Sequence, residues 1–200
     1  MSSPYEPRTF GVGCFGEGEY DALINGKCTK CYNTWRSMLR RCYDSEYQAR
    51  EPAYIGCEVS EYWLNFQNFA RWYYDNIYQI EDEVIGLDKD ILIKGNKIYS
   101  PETCIFVPQT INNLFTKRDN HRGNYPVGVY YKKKNKKYIA QCNVNEKQKH
   151  LGCYDTQEEA FQVYKNFKEQ YIKEVAEQYR NKIPTRLYTA MINYKVDIND

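Results

Sequence analysis

Three strand-like segments and one capped helix follow each other closely between residues 128 and 175. Apolar and polar side chains alternate in the first two segments, which is the period of a half-buried strand. Thr156 and Glu159 then form a capping-box pattern, which marks the start of a helix. The helix has one apolar stripe, formed by Ala160, Val163, Tyr164, Phe167 and Tyr171. This order predicts a three-stranded antiparallel sheet with one long helix packed on one of its faces.

The positive charge of the chain is concentrated in the same region. Residues 117–150 contain ten Lys or Arg and two Asp or Glu, a local balance of +8, whereas the whole chain has a net charge of +2. Because the helix covers one sheet face, the other face is predicted to present polar and basic side chains: Tyr130, Lys132, Gln141, Asn143, Gln148 and His150. Such a face is typical of a surface that binds the phosphate backbone and fits the major groove of DNA.

Length and composition favour a folded chain with one large domain or two small ones. The chain has 200 residues, of which 42% are hydrophobic and 16% aromatic. The first twenty residues contain no apolar stretch like that of a signal peptide. No run approaches the roughly 20 apolar residues that span a bilayer. We therefore expect a soluble protein of the cytoplasm that does not bind a membrane.

Eight cysteines are present, and without a secretory signal we expect them to be reduced. Cys28 and Cys31 form a single CxxC pair. A structural zinc site needs a second ligand pair, and the remaining cysteines are not spaced as one. Ordinary buried or half-buried thiols are therefore favoured, and metal binding by this pair stays an open alternative.

The first half of the chain is predicted to contain a hairpin and two helices. Asn25-Gly26 is a strong turn signal within residues 9–29. A helix is predicted with Asn33 as its N-cap, and its apolar stripe consists of Trp35, Met38, Leu39 and Cys42. A second helix is predicted from Ser60, and its apolar side consists of Trp63, Phe66, Phe69, Ala70, Trp72 and Tyr73.

The fold class predicted from these segments is α+β. The polar segment 117–125 is typical of a linker. We predict a first domain at residues 1–120, a second at 121–180, and a C-terminal helix and tail at 181–200. Pro184 suits the first turn of that last helix, which is predicted to reach about Asn193.

The second domain resembles the ethylene-response-factor type of DNA-binding domain, which is also found in phage and mobile-element endonucleases. The matching residues are Gly128-Val129, the strand at 138–143, and the segment LGCYDTQEEAFQVY at 151–164, about 40 residues in all. The last segment is the specific part, because it fixes a strand, a turn and a helix cap together. The resemblance implies that the exposed sheet face lies in the major groove.

By position, this resemblance assigns DNA-contacting roles to individual residues. The base-reading places are Val127, Tyr130, Lys132, Asn143, Gln148 and His150. The phosphate contacts are Lys132, Lys133, Lys134, Lys136 and Lys137, which would position the protein without specifying a sequence. Family members read bases mostly with Arg and Trp. The DNA target cannot be transferred, because Arg–guanine pairs are missing at most of these places.

The first domain resembles an HNH (ββα-metal) nuclease of the phage type over roughly residues 8–116. The resemblance begins at Trp35, Met38-Leu39 and Arg41-Cys42-Tyr43, and it ends in LDKDILIKGNKIYSPETCIFVPQTINNLF. The SPETC segment is its specific part. The resemblance implies cleavage of a phosphodiester with one divalent ion, Mg²⁺ or Mn²⁺.

The HNH-type motif also implies a site, and this chain departs from it. Asp88 and Asn112 keep the metal-ligand places, Lys89 stands at the place of the base His, and Thr103 stands at the place of a loop-bracing Asn. Lysine is a poor general base at neutral pH, and Asp90 would favour its charged form if the two side chains met. We therefore expect a nuclease scaffold with weakened or lost catalysis. Residual nicking, with Asp90 or a metal-bound hydroxide taking the proton, is the alternative.

Three functions are compatible with these patterns. The leading hypothesis is a double-stranded-DNA-binding protein of phage or mobile-element type, nucleoid-associated in the host cytoplasm, with a degenerate HNH-like domain. The enzyme alternative is an active divalent-dependent nicking or homing endonuclease. The third is an inhibitor or interaction module that binds a host protein through the aromatic helix at 62–78. Neither the DNA target nor the oligomeric state is indicated by the sequence.

Overall fold

The computed structural model describes residues 3–116, 125–145 and 147–198. It has a mixed α and β architecture and divides into two compact units, Met1–Gln109 and Thr110–Asp200. The division falls after Gln109, and residues 181–200 belong to the second unit. The predicted linker, apart from Tyr125, lies outside the described residues.

The described part of the first unit contains short strands between four helices and a carboxyl-terminal strand pair. Its helices are α1 (Lys30–Tyr43), α2 (Ser45–Arg50), α3 (Glu61–Leu64) and α4 (Phe66–Asn76). Its strands are β1 (Leu23–Ile24), β2 (Lys27–Cys28), β3 (Glu58–Val59), β4 (Ile85–Asp88), β5 (Ile98–Tyr99) and β6 (Ile105–Pro108). β1 and β2 form the predicted hairpin, in which Asn25 and Gly26 both have positive φ, as its two-residue turn requires.

Helix α1 begins earlier than predicted. The side chain of Thr29 accepts a hydrogen bond from the Tyr32 backbone N–H at 3.1 Å, which makes Thr29 the N-cap. The predicted cap at Asn33 is therefore wrong, because Asn33 lies inside the first turn. The predicted stripe of this helix is confirmed: Trp35, Met38, Leu39 and Cys42 are all buried.

The predicted second helix is interrupted at Asn65. The backbone N–H of Cys14 donates to Leu64, and the backbone N–H of Phe66 donates to Cys14, at 2.9 and 3.0 Å. Asn65 then caps α4 by accepting from the Gln67 N–H. The aromatic side of the segment is nevertheless core: Trp63, Phe66, Phe69, Ala70 and Tyr73 are buried, and Trp72 packs against them.

The end of the first unit is an antiparallel strand pair followed by a helix. β4 pairs with β6, with Asp88 opposite Ile105. Helix α5 (Gln109–Phe115) begins directly after β6, at the boundary between the two units. The loop between β4 and β6 contains β5, which pairs in parallel with β3.

The second unit contains the predicted three-stranded sheet and long helix. The strands β7 (Val129–Lys132), β8 (Lys137–Val144) and β9 (Lys147–Tyr154) are antiparallel, and β8 lies in the centre. Helix α6 (Gln157–Tyr179) packs on the sheet. Its capping box is confirmed, since Thr156 Oγ1 accepts from the Glu159 N–H while the Glu159 side chain accepts from the Thr156 N–H.

The C-terminal segment packs on α6. Helix α7 (Thr185–Asn193) follows Pro184 as predicted, and its residues Leu187 and Met191 are buried. The tail beyond it is irregular as far as residue 198. Val196 is buried in the sheet–helix core. Of the helices that the structure describes, none combines the length and the hydrophobicity that a bilayer span requires.

Candidate functional site

The two faces of the β7–β9 sheet have different environments. The face toward α6 is apolar and belongs to one core with Val129, Ala140, Cys142, Ala160, Phe161, Tyr164 and Val196. By strand alternation and register, the opposite face carries Tyr130, Lys132, Gln141, Asn143, Gln148 and His150. All of these are exposed except Gln141, which is half-buried. The predicted division of the sheet into a covered and a polar face thus agrees with the structure.

Two amides lie side by side on the polar face. Asn143 of β8 is directly opposite Gln148 of β9, and Gln141 is opposite His150. Cross-strand neighbours have Cβ atoms about 5 Å apart. Ile139 lies on the same face, opposite both Tyr130 and Cys153, and is buried at 2% exposure, so this face is covered at that central position.

A β-bulge sets which residues of β9 reach the polar face. Ala140 pairs with Gly152, but the next residue of β8, Gln141, pairs with His150. Leu151 is therefore the extra residue, and it packs against the core on the helix side. Because of this extra residue, Gln148, His150 and Cys153 all lie on the face away from α6.

The lysines cluster at the β7–β8 turn. Lys133, Lys134 and Lys136 are exposed, and the turn is closed by donation from the Asn135 N–H to the Lys132 carbonyl at 3.1 Å. Lys137 differs from the others, because its ammonium forms an ion pair with Asp155. The exposed cations are therefore held together at one end of the sheet.

Val127 and Cys153 correct the predicted interface. Val127 packs against the sheet–helix core, so it is not on the polar face. Cys153 was not predicted, yet it is exposed and its Sγ lies 3.7 Å from His150 Nε2. Alternation along β9 alone does not place Cys153 on the same face as His150, because the two residues are three apart. The extra residue Leu151 between them brings both side chains to one face.

The residues of the first unit that the sequence assigned to a nuclease site begin at the end of β4. Asp88 Oδ1 accepts hydrogen bonds from the backbone N–H groups of Asp90 and Ile91, at 2.8 and 2.7 Å. Burial raises the pKa of Asp88, and these two hydrogen bonds partly oppose that shift. The carboxylate therefore holds the start of the β4–β5 loop in place.

Lys89 is buried, with 5% exposure, and its ammonium is fully hydrogen-bonded. It donates to both carboxylate oxygens of Asp90 at 2.7 Å and to the Asn96 carbonyl at 2.9 Å. The ring centroid of Tyr99 lies 5.8 Å from Nζ. An ammonium that donates all three protons has no lone pair to accept another, so this geometry opposes a role for Lys89 as a base.

Asn96 completes this cluster and was missed by sequence reasoning. Its side-chain amide donates to the carbonyls of Lys89 and Ile98, at 2.8 and 2.7 Å. The loop is thus tied at both ends by one residue. The signal in the sequence is Gly95-Asn96, where the positive φ of Gly95 makes the turn that brings Asn96 back toward Lys89.

Thr103 braces the segment after β5. Its hydroxyl donates to the Ile98 carbonyl at 2.6 Å and accepts from the Ser100 N–H at 3.2 Å. The Thr103 N–H in turn lies 3.3 Å from Ser100 Oγ. A threonine can therefore supply the loop-bracing contacts that the resemblance assigns to an asparagine at this position.

The two predicted metal ligands belong to different units. Asp88 lies in the first unit, whereas Asn112 lies in the part of α5 that belongs to the second. Carboxylate and amide oxygens suit Mg²⁺, but Asp88 Oδ1 is already engaged by two backbone donors. Within residues 3–116, 125–145 and 147–198, no group of three His, Cys, Asp or Glu side chains is arranged to hold a metal ion.

The cysteines of the CxxC pair are in different environments. Cys28 is exposed on β2, whereas Cys31 is buried in α1, where burial raises its pKa to about 12. A buried thiol with a raised pKa is a poor metal ligand, because the thiolate is the ligand form.

Comparison with protein-family models, curated proteins and solved structures finds no match to this chain.

Proposed function

We propose that this chain is a duplex-DNA-binding protein of phage or mobile-element type that acts in the host cytoplasm. In this proposal the polar face of the β7–β9 sheet lies in the major groove. The main observation in its favour is that one sheet face presents exposed polar and cationic side chains, while the other face packs against α6. A folded domain does not need such a face for its stability.

The dimensions of the sheet support this docking. Three strands spaced by about 4.8 Å are roughly 10 Å wide between the outer strands. The major groove of B-DNA is about 12 Å wide and admits a β-ribbon. The exposed Lys133, Lys134 and Lys136 at the β7–β8 turn could then contact phosphates at the rim of the groove.

The side chains on the face favour adenine over guanine. Asn143 and Gln148 are cross-strand neighbours, and the amide of either residue can pair with N6 and N7 of adenine. Of the residues that the structure describes on this face, none is an arginine, which is the usual partner of guanine. We therefore infer a preference for sites that contain A·T pairs.

A salt series of fluorescence-anisotropy titrations on labelled duplex tests this function. Each neutralised phosphate contributes about −0.9 to the slope of the logarithm of the association constant against the logarithm of the salt concentration. If four lysines contact phosphates, the expected slope of log affinity is roughly −3 to −4. Affinity that is independent of salt would contradict the proposal.

For the first unit, we propose a nuclease-like scaffold without efficient catalysis. The hydrogen-bonded ammonium of Lys89 supports this, because it stands where the resemblance expects a base. The chain order of a strand pair followed by a helix, with Asp88 at the end of the first strand, favours residual nicking as the second candidate.

The nicking candidate is tested with supercoiled plasmid and Mg²⁺ or Mn²⁺. The matched control is Asp88→Ala, prepared by the same purification. Nicking that disappears in this variant would support the enzyme. Nicking that is unchanged would identify a contaminating nuclease, and no nicking in either protein would leave the scaffold interpretation.

A further inference from the structure

The second unit contains a groove where β7 is too short to cover its neighbour. β7 pairs with residues 137–140 of β8, and the Gly128 carbonyl accepts one further hydrogen bond from the Gln141 N–H at 2.9 Å. A turn from Pro126 to Val129 then leads the chain away from β8. The edge of β8 beyond Gln141 has no strand beside it in the described residues.

The groove along this edge has a volume of about 810 Å³. Its walls come from the sheet edge, from α6 and from residues of α5. Aromatic rings and side-chain amides dominate the lining, which includes Tyr130, Tyr171, Gln141, Asn143, Asn145 and Gln148. The Tyr171 hydroxyl donates to Asn145 Oδ1 at 3.0 Å, so one wall of the groove is held in a defined position.

Lys168 is the cation of this groove. It is half-buried on α6, and burial lowers its pKa. The thiol of Cys142 is the titratable group that acts on its pKa, in the direction opposite to burial, and among the described residues no carboxylate forms an ion pair with it. This contrasts with Lys165 on the same helix, which approaches Glu169 at 3.8 Å. A half-buried ammonium that has no carboxylate partner is available to pair with an anionic group of a ligand, and such a pair would favour its charged form.

We propose that this groove binds one nucleotide. Lys168 would hold its phosphate, a tyrosine ring would stack on its base, and the amides of Gln141 and Asn143 would bond the base edge. Stacking on aromatic side chains and a cation for the phosphate are the elements that recognise unstacked nucleotides. The groove therefore suits a base with a phosphate better than a purely apolar ligand, which would leave the amides unpaired.

The nucleotide can come from two sources. It can be a free mononucleotide, or it can be a nucleotide displaced from a DNA strand whose duplex lies on the adjoining polar face. The second source builds on the proposed DNA-binding function, because Tyr130, Asn143 and Gln148 belong to both surfaces. Displacement is least costly at a mismatched base.

Two measurements on the full chain separate these sources. Equilibrium dialysis with deoxyadenosine monophosphate detects a free nucleotide. A duplex with 2-aminopurine at one mismatched position detects displacement, because the fluorescence of this base rises when it leaves the stack. The test variant is Lys168→Met, which keeps the apolar stem, and Lys173→Met on the same helix is the matched control. Gln141→Leu provides a second test variant that leaves the charge unchanged.

We expect Lys168→Met to lose about tenfold in at least one of the two signals, with Lys173→Met unchanged. If Lys168→Met does not fold, by circular dichroism, the same loss is expected in Gln141→Leu. The protein could bind duplex DNA but bind no deoxyadenosine monophosphate and cause no rise in 2-aminopurine fluorescence. That result would contradict the nucleotide groove and leave the DNA-binding function intact. Mononucleotide binding without any duplex binding would support the groove and contradict that function.

Discussion

The backbone of Gly128 lies against the ring of Tyr164. A Cβ atom at position 128 would be 2.1 Å from Tyr164 Cδ2 and 2.4 Å from Cε2. Gly128 also has φ +75°, which is the left-handed region that glycine adopts at the third position of the turn closed by the Val129 N–H. One residue thus serves the turn before β7 and the packing of α6.

Replacement of Gly128 by Ala is expected to destabilise the second unit by about 2–4 kcal/mol. Left-handed backbone costs an alanine about 1 kcal/mol, and overpacking against a buried ring adds about 1–3 kcal/mol. Urea unfolding followed by far-UV circular dichroism measures this. Tryptophan fluorescence should be unchanged, because all three tryptophans lie in the first unit.

The matched control is Gly95→Ala, since Gly95 has φ +76° with no atom within 4 Å of the added Cβ. This variant should lose about 1 kcal/mol of stability. Equal losses would show that the ring of Tyr164 moves aside.

Replacement of Asp88 by Asn is expected to stabilise the first unit at neutral pH. Burial raises the pKa of Asp88, so the folded state prefers the neutral form and the ionised form carries a desolvation penalty at pH 7. Asparagine keeps the Oδ1 acceptor for the two backbone donors. As pH falls through the raised pKa the wild type becomes protonated and the advantage of Asn disappears. Tryptophan-monitored unfolding at pH 7 and pH 4 checks this, and an advantage that grows toward acid would contradict it.

Replacement of Lys89 by Met is expected to destabilise the first unit by about 1–3 kcal/mol, because the Asn96 carbonyl loses its donor. The Asp90 side chain is 52% exposed, so water can hydrate its carboxylate in the variant. The loss of stability is therefore smaller than for a fully buried ion pair. Asp90→Asn, which retains an acceptor, should lose less. Both variants can be compared by tryptophan fluorescence in urea. A stable Lys89→Met protein would show that the ammonium is not part of the fold.

Replacement of Lys133 by Ala should weaken binding to all DNA sequences alike and make the salt slope shallower by about 0.9. Lys137→Ala should change the slope less, because Lys137 is already paired with Asp155. Asn143→Ala should instead reduce the preference for A·T-containing sites, since an amide that pairs with a base is worth about 1–3 kcal/mol of discrimination. Competition anisotropy with two duplexes measures both effects. If Lys133→Ala and Asn143→Ala lose preference equally, the assignment of the reading face is wrong.

Acidification should release the C-terminal tail from α6. Burial alone would raise the pKa of Glu169, but hydrogen bonds from Lys195 and the Val196 N–H outweigh it and lower the pKa. The stabilisation is therefore present above the ordinary Glu pKa of about 4.3 and is lost as pH falls through the lower, folded-state value. Amide exchange at Val196 reports the release. Glu169→Gln should show faster exchange at pH 7 and little further change in acid.

The sequence predicts the second unit better than the first. Thr156 and Glu159 are close in sequence and satisfy each other's backbone, so the start of α6 is visible in a local pattern. The break at Asn65 is not visible, because it depends on Cys14, about fifty residues earlier in the chain. The start of α1 was misplaced because Thr29 and Asn33 are both good N-cap residues, and local propensity does not choose between them.

The same difference applies to the candidate sites. Lys132, Asn143 and Gln148 could be assigned to one face because strand alternation carries that information. The partners of Lys89 could not be assigned completely, since Asn96 reaches it only through the shape of the loop. The burial of Val127 likewise depends on the turn at Gly128 rather than on the period of β7.

The additional residue in β9 changes the shape of the sheet without changing which side chains it displays. His150 and Gly152 already pair with the adjacent residues Gln141 and Ala140, so loss of Leu151 would restore regular alternation and keep Gln148, His150 and Cys153 on the outward face. Lys147 and Lys149 would likewise stay on the side of α6. A single-codon deletion at this position would thus remove the bend and extra twist of the bulged strand while leaving the outward surface and every other amino acid of the chain unaltered.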